Sequence, residues 1–137
     1  MRIFSARLRG AEEVPPVRTN ARGFAIFSLS RDGRRLRYIV AAENIRNTTE
    51  GHIHLGRRGE NGPIVAFLFG PFRRPVSVRR GFVVGTITQN DLVGPLAGRS
   101  LASLIRQMRR GNTYVNVHTT QNPGGEIRGQ IRRGLFF

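Results

Sequence analysis

Apolar residues in this chain come in short runs closed by glycine, proline or asparagine, a spacing that leaves room for strands but, with one exception, not for helices. Residues 3–8 alternate, with Phe4, Ala6 and Leu8 on one face and arginines around them. That run stops near Arg9, because the prolines of "EEVPPV" cannot donate to a ladder and hold an extended loop instead. "GFAIFSLS" (23–30) and "RRLRYIVAAEN" (34–44) flank Asp32 and Gly33, a dipeptide suited to a tight hairpin, so the two runs are expected to pair antiparallel. Short runs follow at "HIHL", "PIVAFLF", "GFVVGTIT", "TYVNVHT" and "GEIRGQIR". About eight strands at this spacing predict an all-β fold, an antiparallel Greek-key β-sandwich or barrel.

The exception is "GRSLASLIRQMRRGN". Leu101, Leu104, Ile105 and Met108 recur at helical spacing, Ser100 can cap the N-terminus, arginines fill the last turn and Gly111 follows. One helix of about three turns is predicted near 100–110, its apolar stripe covering an open end of the sheet.

A chain of 137 residues fits a single domain, 1–137, with a core large enough to need no staple. Cysteine is absent, which excludes disulfides, thiolate metal sites and a cysteine nucleophile. The N-terminus "MRIFSARLRG" lacks the apolar stretch of a signal peptide, and no run approaches the ~18 apolar residues of a membrane span, so neither is expected in the chain as given. The formal net charge is +15, and all 23 basic residues are arginine, spread along the whole length. Such a surface attracts polyanions, anionic cell-envelope polymers among them. Specific nucleic-acid binding is not expected, because aromatic residues are not interleaved with the arginines to stack bases.

Catalytic constellations are missing. "GRRGENGP" and "NPGGE" are glycine-rich but lack the phosphate-binding lysine, and no G-x-G-x-x-G opens a helix after a strand. A Ser-His-Asp arrangement would have to draw Asp32 or Asp91 from turns, and Glu12 and Glu13 sit beside a Pro-Pro turn. No catalytic residue is assigned, and the chain is read as a non-enzyme.

"GHIHLG" is the segment with chemistry in it. Side chains alternate across a strand, so His52 and His54 share one face while Ile53 and Leu55 take the core face. The same alternation in "TYVNVHT" sends Val115 and Val117 inward, and Tyr114, Asn116 and His118 outward. If the two strands are neighbours, three imidazoles converge on the outside of the sheet, with Glu126, Arg128 and Gln130 on a like face nearby. Three imidazoles suit copper or zinc, and Glu126 could complete the sphere as a weak carboxylate ligand. The competing reading is structural: the histidines, Asn116 and Glu126 form a hydrogen-bonded polar cluster that fixes strands and loops.

"ARLRGAEEVPPVRTNARGFAIFSLSRDGRRLRYIV", "HIHLGRRGENGPIVAFL" and "GNTYVNVHTTQNPGGEIRGQI", in that order and without large gaps, resemble the CHRD domain, a module named after chordin and also found as a stand-alone microbial protein. The resemblance implies an all-β module of extracellular type, at the cell or spore surface, with no enzymatic activity. It implies a binding or structural role, with self-association or attachment to a surface as its forms. A more distant likeness connects His52, His54 and His118 with the H-x-H pair and later strand histidine that hold copper in Cu/Zn superoxide dismutase, also a Greek-key barrel. This chain has no fourth histidine and no zinc loop, so the likeness implies metal binding at most and not dismutation.

Overall fold

The structure, a computed structural model, describes residues 2–135. Its strands are β1 (Ile3–Arg9), β2 (Arg22–Leu29), β3 (Leu36–Leu55), β4 (Ile64–Phe69), β5 (Val76–Ile87), β6 (Thr113–Thr119), β7 (Ile127–Gln130) and β8 (Arg132–Arg133), with one α-helix, α1 (Leu101–Arg109), between β5 and β6. All pairings are antiparallel. Neighbours run β2-β1-β7-β6-β3, and β3 pairs back with β2, so the sheet closes into a barrel; β4 and β5 add to β3 from outside that ring. The expected all-β sandwich or barrel with one helix is what forms.

The hairpin predicted around Asp32 and Gly33 joins β2 to β3 with Phe27 opposite Tyr38 and Ala25 opposite Val40. Gly33 takes φ 73° at its tip, and the Asp32 carboxylate accepts from the Arg34 amide and the Ser30 hydroxyl. One boundary differs from the sequence reading. "RRLRYIVAAEN" and "HIHL" are not separate strands but the two halves of the twenty-residue β3. Asn44 and Asn47 each adopt φ 54°, and the register slips between Ile45 and Thr48 against β5 and between Thr48 and Glu50 against β6. Asparagine tolerates the left-handed region, so the strand bends at bulges where most residues would have ended it. The first half then pairs with β2 and β5, the second with β4 and β6. β5 likewise begins at Val76, ahead of the expected "GFVVGTIT".

Alternation fills the interior as predicted. Phe4, Ala6 and Leu8 of β1, Ala25 and Phe27 of β2, Ile53 of β3 and Val115 and Val117 of β6 are buried in one core. Leu101, Leu104, Ile105 and Met108 of α1 join that core, at ~25 cal/mol for each Å² of apolar surface removed from water. The helix has nine residues, rather shorter than expected. Ser100 stands at the N-cap with extended backbone, but its hydroxyl meets that of Ser103 at 3.2 Å and caps no amide. Gly111 ends the helix at φ 70°, its amide on the Met108 carbonyl.

Candidate metal centre

β3 and β6 are neighbours, with Glu50 opposite His118, His52 opposite Asn116 and His54 opposite Tyr114. That register places all three histidines on one face, and one ring nitrogen from each lies within 4.8 Å of the others. The sequence reading put this face on the outside of the sheet; instead it is covered. His52 and His54 are 2% and 7% exposed, and Tyr114 and Asn116 are buried with them. The cover is a pair of loops that strand alternation alone could not reveal. The segment after β1 docks on the 57–62 loop, through Arg58 donating to both Glu12 carboxylate oxygens and Asn61 Nδ2 donating to the Val14 carbonyl at 2.9 Å. The 121–125 loop closes the other side, where Asn116 Nδ2 donates to the Gly124 carbonyl. Two glycines permit the approach: a Cβ on Gly62 would lie 1.6 Å from the Leu55 carbonyl oxygen, and one on Gly125 would lie 2.3 Å from Asn116 Oδ1.

Each imidazole is held by its far nitrogen. His54 Nδ1 donates to the Gly62 carbonyl at 2.9 Å, and His118 Nδ1 donates to the Pro123 carbonyl at 2.8 Å. A carbonyl oxygen only accepts, so in both rings the proton sits on Nδ1 and Nε2 carries a lone pair. His52 is turned the other way, with Nε2 2.7 Å from a Glu50 carboxylate oxygen, which leaves the lone pair on Nδ1. His52 Nδ1 and His118 Nε2 then face each other at 3.2 Å, two lone pairs with no hydrogen between them in the neutral rings. His54 Nε2 is buried without any hydrogen-bond partner. The neutral rings thus turn unprotonated nitrogens toward one another.

Burial keeps the His52 and His54 rings toward their neutral form. Burial pushes the His54 imidazole down to about 4, with His52, His118 and Arg128 adding positive charge against it and the Gly62 hydrogen bond opposing. His52 is lowered by burial and by His118, against the pull of Glu50. Neutral imidazole is the form that ligates. Glu50, with a side chain 28% exposed, fixes the His52 tautomer from behind the ring, an arrangement that recurs where a histidine serves as a metal ligand. Arg128 is fully buried on the same face; its guanidinium lies 3.5 Å over the Tyr114 ring and donates to Asn61 Oδ1, the Arg57 carbonyl and the Glu60 carbonyl. Tyr114 in turn stacks on His54, 4.8 Å between centroids and 8° between planes. The less buried His118, with Glu50 and the half-exposed Phe67 that meets His52 edge-on at 4.5 Å, marks the side open to solvent.

Glu126, expected as a weak fourth ligand, is occupied elsewhere. Its carboxylate accepts from Thr19, Thr119, Gln121 and Asn122 at 2.7–3.0 Å, and although burial opposes them these bonds hold it below its ordinary value. It stands outside the histidine group, as a tie between loops. Gln130 also serves structure, donating to the Gly56 and Gly111 carbonyls. The sequence reading missed Glu50, which the alternation that pairs His52 with His54 also places on their face. It also missed Glu13. That side chain is 5% exposed, burial raises it to about 7 against Arg128 and the Asn116 hydrogen bond, and its Oε2 has no partner.

The CHRD domain family model matches residues 4–131. The chain belongs to the CHRD domain family. In this CHRD domain the matched region takes in β1 from Phe4 onward and β2 to β7, together with every residue of the histidine centre. No curated protein matches the chain at a significant level.

Proposed function

We propose that this CHRD domain is a metal-binding module, not an enzyme, and that it holds one copper or zinc ion through His52 Nδ1, His54 Nε2 and His118 Nε2. The observation that carries the reading is the convergence of three tautomer-fixed lone pairs, one of them buried and without a partner. Three neutral imidazoles suit either metal, and the general affinity order favours Cu(II) over Zn(II). Three protein ligands leave a position for water or a small molecule on the His118 side, which suits an ion that is exchanged or handed on. The extracellular or cell-surface setting expected of the family belongs to the same proposal.

Calorimetric titration of metal-free protein with Cu(II) and with Zn(II), beside a His54→Ala variant, tests it. The expected result is one tight equivalent for at least one metal, lost in the variant. Equally weak binding by both proteins would leave the cluster a structural one.

A further inference from the structure

The bulged stretch of β3 borders a cleft. Asn44 and Asn47 take φ 54°, and the register against β5 slips between Ile45 and Thr48, where the Asn47 amide donates to the Ser77 hydroxyl at 2.9 Å. Bulges re-aim the side chains they carry. Between this stretch, the start of β5 and the segment leading into β2 lies a cleft of about 910 Å³, a size within the range of ligand sites. Its exposed polar lining includes Asn20, Arg22, Asn44, Arg46, Ser77 and Arg79. Arg22 shares the Glu43 carboxylate at 3.0 Å. Arg46 and Arg79 have no ion-pair partner among the described residues, and the side-chain amides of Asn20 and Asn44 have no hydrogen-bond partner there. Glu126 is the one carboxylate of the lining, and it already accepts from Thr19, Thr119, Gln121 and Asn122. The cleft therefore offers donors and positive charge, and the acid that would oppose them is engaged within the protein.

Two properties of the lining select the occupant. A concave site lined by one sign of charge concentrates ligands of the other sign, and a guanidinium matches a carboxylate with two parallel hydrogen bonds. The neutral part of the lining is made of amides and a hydroxyl, groups that pair with sugar hydroxyls, and no aromatic ring borders the cleft to stack a nucleic-acid base. We propose that this cleft binds an acidic polysaccharide, Arg46 and Arg79 engaging successive carboxylates of the chain while Asn20, Asn44 and Ser77 hydrogen-bond its hydroxyls. Arg22 stands at the same cleft with its charge already shared by Glu43, so the two unpaired arginines carry the recognition of charge. The site is separate from the histidine centre, none of whose three histidines lines it.

The test is fluorescence anisotropy with end-labelled oligogalacturonate, with labelled maltotetraose as the uncharged sugar and labelled oligothymidylate as the single-stranded nucleic acid. Metal-free protein in chelator is used, so that no metal ion at the histidines captures a carboxylate. Binding is expected to oligogalacturonate and not to maltotetraose, to weaken as salt is added, and to fall by about tenfold in Arg46→Gln with Arg79→Gln. Both side chains are exposed and without ion-pair partners, so this variant should melt like wild type. Arg106→Gln with Arg109→Gln removes the same charge from exposed positions of α1 outside the cleft and should lower affinity far less. Equal losses in the two double variants would overturn the proposal, because net charge alone would then account for binding on a chain of +15. No binding of oligogalacturonate, or equal binding of maltotetraose, would overturn it as well. So would oligothymidylate that binds more tightly and is lost in the Arg46 and Arg79 variant, since the cleft would then belong to nucleic acid.

Discussion

Arg128→Met removes a buried guanidinium while keeping much of the bulk of its stem. Three acceptors lose a charged donor: Asn61 Oδ1 at 2.8 Å, the Arg57 carbonyl at 3.2 Å and the Glu60 carbonyl. Tyr114 loses the cation over its ring. Hydrogen bonds from a charged group contribute about 1.5–3 kcal/mol each and a desolvated cation over a ring about 1–2 kcal/mol, so naive addition gives roughly 6–11 kcal/mol. That overshoots for two reasons. Burying the guanidinium costs the wild type several kcal/mol, which the variant recovers, and Arg57, Glu60 and Asn61 lie on an exposed loop where water can replace the lost donor. The net expectation is about 2–4 kcal/mol of destabilisation, read as a drop of roughly 1–2 M in the urea midpoint of the metal-free protein. Metal affinity should fall with it, because the same loop carries the Gly62 carbonyl that orients His54. A cost below about 1 kcal/mol would show that the three bonds and the stacked cation are not what pins this loop.

Three further outcomes follow from the same geometry. Glu50→Ala should weaken metal binding by about tenfold or more, since nothing then fixes the His52 tautomer, and Glu50→Gln should recover part of it through the amide oxygen; an unchanged affinity in the alanine variant would remove Glu50 from the account. Glu13 has a folded value raised to about 7 from 4.5, so the folded state binds the extra proton and the stabilisation is complete below 4.5 and lost as pH rises through about 7. Glu13→Gln should therefore melt higher than wild type in mildly alkaline buffer and no higher in acid, and a difference independent of pH would contradict the assignment. Long-range proton–nitrogen correlation spectra of the metal-free protein should place the ring proton on Nδ1 of His54 and His118 and on Nε2 of His52; a proton on His52 Nδ1 would break the convergence of lone pairs.

Strand existence was legible in the sequence because alternation reports directly which side chains face a core: Phe4, Ala6, Leu8, Val115 and Val117 are all buried. The helix was legible for the same reason, with a different period. Continuity was not. At Asn44 and Asn47 a polar, turn-prone composition reads as a break, whereas bulges carry β3 through both residues. For the centre, alternation brought His52, His54 and His118 to one face and would have brought Glu50 too. Which groups hold the far ring nitrogens could not be read, because two of them are the backbone carbonyls of Gly62 and Pro123, delivered by loops whose path is a tertiary fact. The same loops turned an apparent outer face into an interior. Glu126 lost its expected role to hydroxyls and amides from the 19 and 119–122 regions, which no local pattern ties to it.

The claim that three lone pairs converge on a metal position is tested most directly by diffraction from crystals grown with one equivalent of Zn(II), with data on both sides of the zinc absorption edge. The account predicts a single anomalous peak shared by His52 Nδ1, His54 Nε2 and His118 Nε2, with His52 still on Glu50 and His54 still on the Gly62 carbonyl. Zinc found only at surface carboxylates, or a histidine cluster that keeps its N···N contact of 3.2 Å with no ion beside it, would contradict it.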